Sequence, residues 1–435
     1  MPIRALKASP GLPPQESHDV AETVQRMLAE IRQGGADVAR GYAQKLDGWD
    51  GPIEVAPETI AAATDQVPQG LKDDIAYAHD NIRRFAEAQR ATLGEMEIEL
   101  RPGLRAGQRV IPVGSVGAYV PGGRYAHIAS ALMTITPAKV AGVPHITACS
   151  VPHPGQGIPA PILYAMQLAG ATRVLAIGGV QGIAAMAYGL FGALPADILV
   201  GPGNAYVAEA KRQLFGPVGI DMVAGPTDSL VLADDSADPL TVAWDLVGQA
   251  EHGANSPVWL VTNSAPLAQA VMAHIPRCIA ELPAPNAQAA AAAWQALGEV
   301  WVCDTVEEMA QKSDAYAPEH LHVQARDLAW WKNRLRNYGS LFLGENTTVP
   351  FGDKAAGPNH VLPTSGAARH TGGLSVLKYL KTVTWQQADA QALPALAAAS
   401  ANISRAEGME GHARSAERRL PPQQPTQQPT GAAAR

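Results

Sequence analysis

Between Val110 and Glu345 the chain alternates short apolar runs with longer stretches of helical pattern, and this rhythm narrows the fold more than any other feature. "SVGAYV", "HITACS", "RVLAIGG" and "DILVGPG" are separated by helical stretches at 126–142, 159–170 and 182–193. The rhythm resumes in "SLVLAD", "VWLVTN", "VWVCD", "HLHVQA" and "SLFLGE". Short apolar runs of this kind, alternating with helices, describe the strands of a parallel sheet covered on both faces. The expected fold is therefore α/β, with two Rossmann-like doubly wound domains at 110–225 and 226–375. Residues 1–109 read as a helical and extended region packing on the second of these. A C-terminal helical segment, expected at a dimer contact, covers 376–420, and the Pro/Gln-rich 421–435 reads as disordered.

Before the first strand, Val20, Val24, Met27, Leu28 and Ile31 form one stripe of an amphipathic helix over 18–46. A second helical stretch covers 57–92, and an extended segment follows to about Val110. With 47% hydrophobic and 17% charged residues, the 435-residue chain has ample material for a core. Its net charge of −7 speaks against a nucleic-acid partner. No apolar run is long enough to span a membrane, and "MPIRALKASPGLPPQES" lacks the apolar core of an export signal, so a cytoplasmic location is expected. Cys149, Cys278 and Cys303 are isolated and form neither a disulfide framework nor a thiolate metal motif.

Three glycine turns stand where a strand should hand over to a helix: "YVPGGRYAH", "IGGVQGIAA" and "VGPGNAYVAEA". Glycine lets backbone approach a ligand, and the first N–H groups of the next helix favour an anion such as pyrophosphate. None matches G-x-G-x-x-G, and any one of them is explained by a tight turn. Three in one half-chain, two beside an amide (Gln181, Asn204), point to a nucleotide crevice.

A second set of residues carries metal or acid–base chemistry. "DLVGQAEHG" places Gln249 and His252 three apart on an expected helix, where both side chains leave one face. "YAPEHLHV" puts Glu319 and His320 at the mouth of a strand. "PFGDKAAGPNHVLPT" gives Asp353 and His360 in a Gly/Pro-rich loop, and "AEGMEGHARSAERRL" gives Glu407 and His412 on a polar helix. A set of nitrogen and oxygen donors with one carboxylate suits zinc, with manganese as a substitute. Taken singly, each residue has an ordinary reading as a core histidine, a turn cap or a solvated helix charge.

The ordered series "YVPGG", "GGVQGIAAMAYG", "GPGNAYVAEAKRQL", "IDMVAGPTDSLVLAD", "QAEHG", "PEHL" and "GPNHVLPT" closely resembles the histidinol dehydrogenase family over about residues 20–415. The resemblance implies cytoplasmic homodimers that hold one zinc per site. It also implies NAD-dependent oxidation of a primary alcohol through the aldehyde to the carboxylate, a four-electron process. It implies zinc ligands at Gln249, His252, Asp353 and His412, the last donated by the partner subunit's C-terminal segment. Glu319 and His320 fall on the acid/base pair, Tyr119, Gln181 and Asn204 on NAD contacts, and Thr227, His360 and Glu407 on substrate contacts. With no cysteine in these motifs, a covalent thiohemiacetal is not expected.

Around the pocket the sequence departs from the histidinol pattern: "AGPTDSL" has Asp228 where Glu is usual, and Thr371–Gly372–Gly373 stand where Ser-Ser-Pro is common. These variants are similar to a side branch that includes sulfopropanediol 3-dehydrogenases, which oxidise 2,3-dihydroxypropane-1-sulfonate to sulfolactate. A sulfonate calls for cationic or strong donor partners, and "GGRYAHIAS" offers Arg124 and His127. Two other readings stand beside this one. Glu407 suits the cationic substrate L-histidinol, and a metal-stabilised binding protein would need no catalysis at all.

Overall fold

The expected strands form, and their order in the sheets shows where ligands can bind. The structure is a computed structural model describing residues 3–11, 18–122 and 127–421. Its strands are β1 (Arg4–Lys7), β2 (Met96–Arg101), β3 (Leu104–Pro112), β4 (Ser115–Val120), β5 (His145–Ser150), β6 (Arg173–Ala176) and β7 (Ile198–Val200). Then follow β8 (Gly219–Ile220), β9 (Ser229–Ala233), β10 (Val258–Thr262), β11 (Glu299–Val302), β12 (His320–Gln324), β13 (Ser340–Leu343) and β14 (Leu380–Ala388). One sheet has the order β6-β5-β4-β7-β8 and is parallel throughout. A second has the order β1-β11-β10-β9-β12-β13, parallel except for β1. Setting β1 aside, both sheets repeat one topology, with the first strand central and the chain reversing direction beside it. Every residue of β4, β9 and β12 is buried, as strands covered on both faces require.

Both sheets lie in one compact unit, residues 1–92 and 112–380. The N-terminal helices do not pack on the second sheet as expected. Helix His18–Tyr42 sends Val24, Met27, Leu28 and Ile31 into the cluster formed by Val180, Ile183, Leu199 and Val207 of the first sheet and its helices. Helices Pro57–Gln66 and Gln69–Ala91 likewise lie against helices Ala160–Ala169 and Ile128–Ala141. The second sheet already closes its core with its own helices Ala265–Ala280 and Ala284–Leu297, leaving only its edge, which β1 takes.

Residues 57–92 form two helices, because Pro68 forces Val67 into extended backbone and ends the first of them. The expected extended segment is a hairpin, β2 and β3, turning at Gly103 with φ +77°. It belongs to a second unit, whose described residues are 93–111 and 381–421, which joins β14, β3 and β2 in one sheet. The polar helix expected around Glu407 is two helices, Leu393–Ala406 and Glu410–Glu417, parted at Gly408 with φ +79°. Cys149, Cys278 and Cys303 are buried and unbridged. Among the described residues no helix is long and apolar enough to cross a membrane. The Pro/Gln-rich residues from 422 on lie outside the described residues.

Candidate active site

In the first sheet the strand order reverses between β4 and β7, and a crevice opens beyond their carboxyl ends, where such sheets bind ligands. A cavity of about 920 Å³ there is lined by Asp47, Tyr119, Gly179, Gln181, Gly203 and Asn204 among others. Tyr119, from the end of β4, is buried, and its hydroxyl accepts the Gly179 N–H at 3.2 Å. Burial pushes its phenol pKa up. Asn204 caps helix Ala205–Leu214: its Oδ1 accepts from the N–H groups of Tyr206 and Val207, both at 3.1 Å, which leaves its amide hydrogens for other partners. Asp47, which nothing in the sequence pattern singled out, accepts from Gly178 N at 3.0 Å and Gln181 Nε2 at 3.1 Å. Gly201 adopts φ +113°, and a Cβ there would collide with the Tyr119 carbonyl oxygen. Gly201→Ala is expected to cost about 1–3 kcal/mol or more, read as a lower urea midpoint at unchanged slope.

The second sheet departs from the usual rule. Thr227 and Asp228 precede β9, Glu319 precedes β12 and His320 begins it, in register with Ser229. The site therefore sits at the amino ends of these strands. Asp228 Oδ1 accepts the Glu319 N–H at 2.7 Å, and the Asp228 peptide oxygen lies 3.0 Å from His320 Nδ1. A carbonyl oxygen only accepts, so Nδ1 carries the proton and the lone pair of a neutral His320 is on Nε2. That Nε2 is buried without a hydrogen-bond partner, 3.6 Å from Asp353 Oδ1.

Glu319 Oε2 accepts from Thr227 Oγ1 at 2.6 Å and from Asp228 N at 3.1 Å. Thr227 Oγ1, its one proton directed to Glu319, accepts from Gln249 Nε2 at 2.6 Å. Burial pushes Glu319 up to about 7 against the pull of His320 and Thr227. Burial works against a charged His320, yet the Glu319 and Asp353 carboxylates outweigh it and lift the imidazole to about 9. Asp228, also buried, is raised to about 6.

The helices and strands that carry these groups are knit together by Asp245, seven residues before His252. It accepts from Gln324 Nε2 at 2.6 Å and from Thr348 Oγ1 at 2.9 Å, and pairs with His322 Nδ1 at 3.2 Å. Gln249 lies on the last turn of helix Pro239–Ala250, while His252 sits in the turn beyond it. The expected single helical face is thus a helix end plus a turn, and the His252 N–H closes it on Gln249 O at 3.2 Å.

His127, Ser130, His252, Asn286, Lys354 and His360 line a second cavity of about 370 Å³. His360 bridges Asp353 O (Nδ1, 2.7 Å) and Ser130 Oγ (Nε2, 3.1 Å). Burial lowers the pKa of His252 and His360, and burial with nearby Lys354 takes His127 down to about 4. Burial opposes the Asp353 charge, but His320, His360 and Lys354 outweigh it and hold its carboxyl below the usual range. Arg124 lies outside the described residues. Glu407 and His412 are exposed in the second unit, the one closing helix Leu393–Ala406, the other within helix Glu410–Glu417.

Among the described residues no group of three or more His, Cys, Asp or Glu side chains is arranged to hold a metal. The donors that Gln249, His252 and Asp353 offer nevertheless fit a cation. Thr227 fixes the Gln249 amide nitrogen, which leaves Oε1 as the available atom; His252 is neutral and Asp353 ionised, the forms that ligate.

The histidinol dehydrogenase family model matches residues 12–420. A relative described as a histidinol dehydrogenase homolog, from Ruegeria pomeroyi, is 69% identical and covers 99% of this chain and 100% of its own. A sulfopropanediol 3-dehydrogenase from the same organism is 59% identical over 97% of both chains. A histidinol dehydrogenase from Gluconobacter oxydans is 38% identical over 93% of this chain and 94% of its own. The crystal structure of histidinol dehydrogenase from Elizabethkingia anophelis superposes with a TM-score of 0.88 at 33% identity, covering 94% of each chain. With a glycine-turn crevice on one sheet, a buried Glu–His pair on the other and a match over nearly its whole length, this chain belongs to the histidinol dehydrogenase family.

Proposed function

We propose that the protein uses NAD and zinc to oxidise a small anionic primary alcohol through the aldehyde to the carboxylate, with 2,3-dihydroxypropane-1-sulfonate, going to 3-sulfolactate, as the preferred substrate. The observation that carries the reaction is the buried His320 Nε2, left without a hydrogen-bond partner, with Glu319 beside it. In its neutral form His320 takes the substrate hydroxyl proton on Nε2 as the first hydride leaves for the dinucleotide. Glu319 then takes a proton from the water that adds to the aldehyde, and a second hydride leaves from the hydrate. One water oxygen enters, two hydrides reach two NAD molecules, and the remaining protons go to solvent. Gln249, His252 and Asp353 would hold the zinc, which when bound polarises the substrate oxygen. His412 of a second copy is the proposed fourth ligand, in a homodimer. The choice of substrate rests on the relative named sulfopropanediol 3-dehydrogenase, at 59% identity against 38% for the Gluconobacter oxydans histidinol dehydrogenase. Lys354 and His127, lining the smaller cavity, suit a sulfonate.

The test is NADH formation with 2,3-dihydroxypropane-1-sulfonate and with L-histidinol, before and after chelation. The expected result is turnover of the sulfonate, with at least about tenfold preference, lost on chelation and restored by zinc. A preference for L-histidinol would transfer the enzyme to that substrate. Undiminished turnover in the metal-free protein would end the metal assignment.

A further inference from the structure

The larger cavity is bounded on one side by residues that precede every strand of the first sheet: Thr23, Arg26 and Met27 from helix His18–Tyr42, and Asp47 from the segment that follows. Asp47 Oδ2 accepts from Gly178 N and from the Gln181 amide. Because the Gly178 N–H can only donate, this oxygen is an acceptor, and the Gln181 atom facing it is Nε2. Gln181 Oε1 is therefore turned the other way. It is buried and has no hydrogen-bond partner, on a side chain only 1% exposed. Beside it stands Gly179, at φ +53°, whose Cβ would lie 3.0 Å from that oxygen. A larger residue there would press on Oε1. A buried acceptor without a partner is unfavourable, and in native proteins it is found where something else will bond to it.

We infer that Asp47 is a cofactor-positioning residue. It holds Gln181 with its carbonyl oxygen presented to the crevice, as an acceptor for an N–H or O–H group of the dinucleotide. Ribose hydroxyls and a carboxamide both supply such a donor. The inference rests on the dinucleotide reading of this crevice and makes the N-terminal segment part of the cofactor site.

The test is NADH binding to the full-length protein by fluorescence titration, with no substrate present and thermal unfolding recorded alongside. Gln181→Glu sets a second carboxylate against Asp47 and is expected to raise the Kd at least about tenfold. In the double variant Asp47→Asn/Gln181→Glu the like charges are gone, and the introduced asparagine amide donates to the introduced carboxylate in place of the contact to Gly178. The Kd is then expected to return to within about threefold of the wild type, a coupling that a merely structural role would not produce. Asp47→Ala alone, which frees Gln181 to turn, is expected to weaken binding about tenfold. Q181E binding like the wild type, or a double variant no tighter than Q181E, overturns the role of Asp47. A wild type that does not bind NADH overturns the dinucleotide reading instead.

Discussion

Glu319→Gln is expected to lower kcat on the preferred alcohol about 10²–10⁴-fold while leaving NADH affinity unchanged. The glutamine oxygen can still accept from Thr227 and from Asp228 N–H, so the contacts holding β9 to β12 remain and only the charge is lost. The pH behaviour separates this outcome from a packing defect. Burial raises Glu319 to about 7, so in the wild type the base is formed, and turnover rises, as pH climbs through about 7. Stability moves the other way. The folded state holds this proton at pH values where the unfolded chain has released it. Glu319 therefore costs stability as pH rises from the ordinary carboxylate range through about 7. E319Q should lose the inflection near pH 7 from the rate profile, keeping the limb that His320 sets at about 9, and should lose that part of the stability slope. A variant retaining more than about a tenth of wild-type turnover would reduce Glu319 to a structural acceptor.

The second large effect belongs to an ion pair remote from the Glu–His pair. Lys211 and Asp221 are both almost fully buried and in direct contact, and each also bonds to Gly201: Lys211 Nζ donates to its carbonyl at 2.9 Å, and Asp221 Oδ2 accepts its N–H at 2.7 Å. Removing one partner leaves an uncompensated buried charge, and Asp221→Ala is expected to cost about 3–5 kcal/mol in urea unfolding. Lys211→Met/Asp221→Leu, with neither charge, should recover much of that stability. It should not recover NADH affinity, because the Gly201 turn has lost both of its anchors. Equal recovery of stability and affinity would show that the pair serves folding alone.

How far the sequence alone reaches depends on how local each cause is. The strands were legible because burial on both faces leaves an unbroken apolar signal in runs such as "SLVLAD" and "VWLVTN". The glycine turns were legible for a similar reason, since Gly201 is required by its own φ and by one neighbouring carbonyl. Glu319 and His320 stood out as a charged pair opening an apolar strand. Their position at the amino ends of the second sheet did not, because it depends on strand order, which no single run encodes. The roles of Asp47, Asp228 and Asp245 were illegible in the sequence, although Asp228 stood out as a departure from the family pattern. Each is a common residue type whose role comes from partners more than 70 positions away: Gly178 and Gln181, Glu319, Gln324 and Thr348. The N-terminal helix was recognised from its stripe, but a stripe does not say which sheet it will meet, and the first sheet was the one with an uncovered face.

The first strand has a practical side. β1 covers the outer edge of β11, pairing Arg4 with Val302 and Ala5 with Trp301, and Lys7 Nζ fastens it to the Gly298 carbonyl at 2.6 Å. A bare β11 would present a short hydrophobic ladder to any passing chain, the usual start of edge-to-edge aggregation. These few residues therefore act less on the depth of the folded energy well than on the shelf life of a concentrated solution. A purification tag is better placed after a spacer, or at the other end of the chain, than fused directly to this strand.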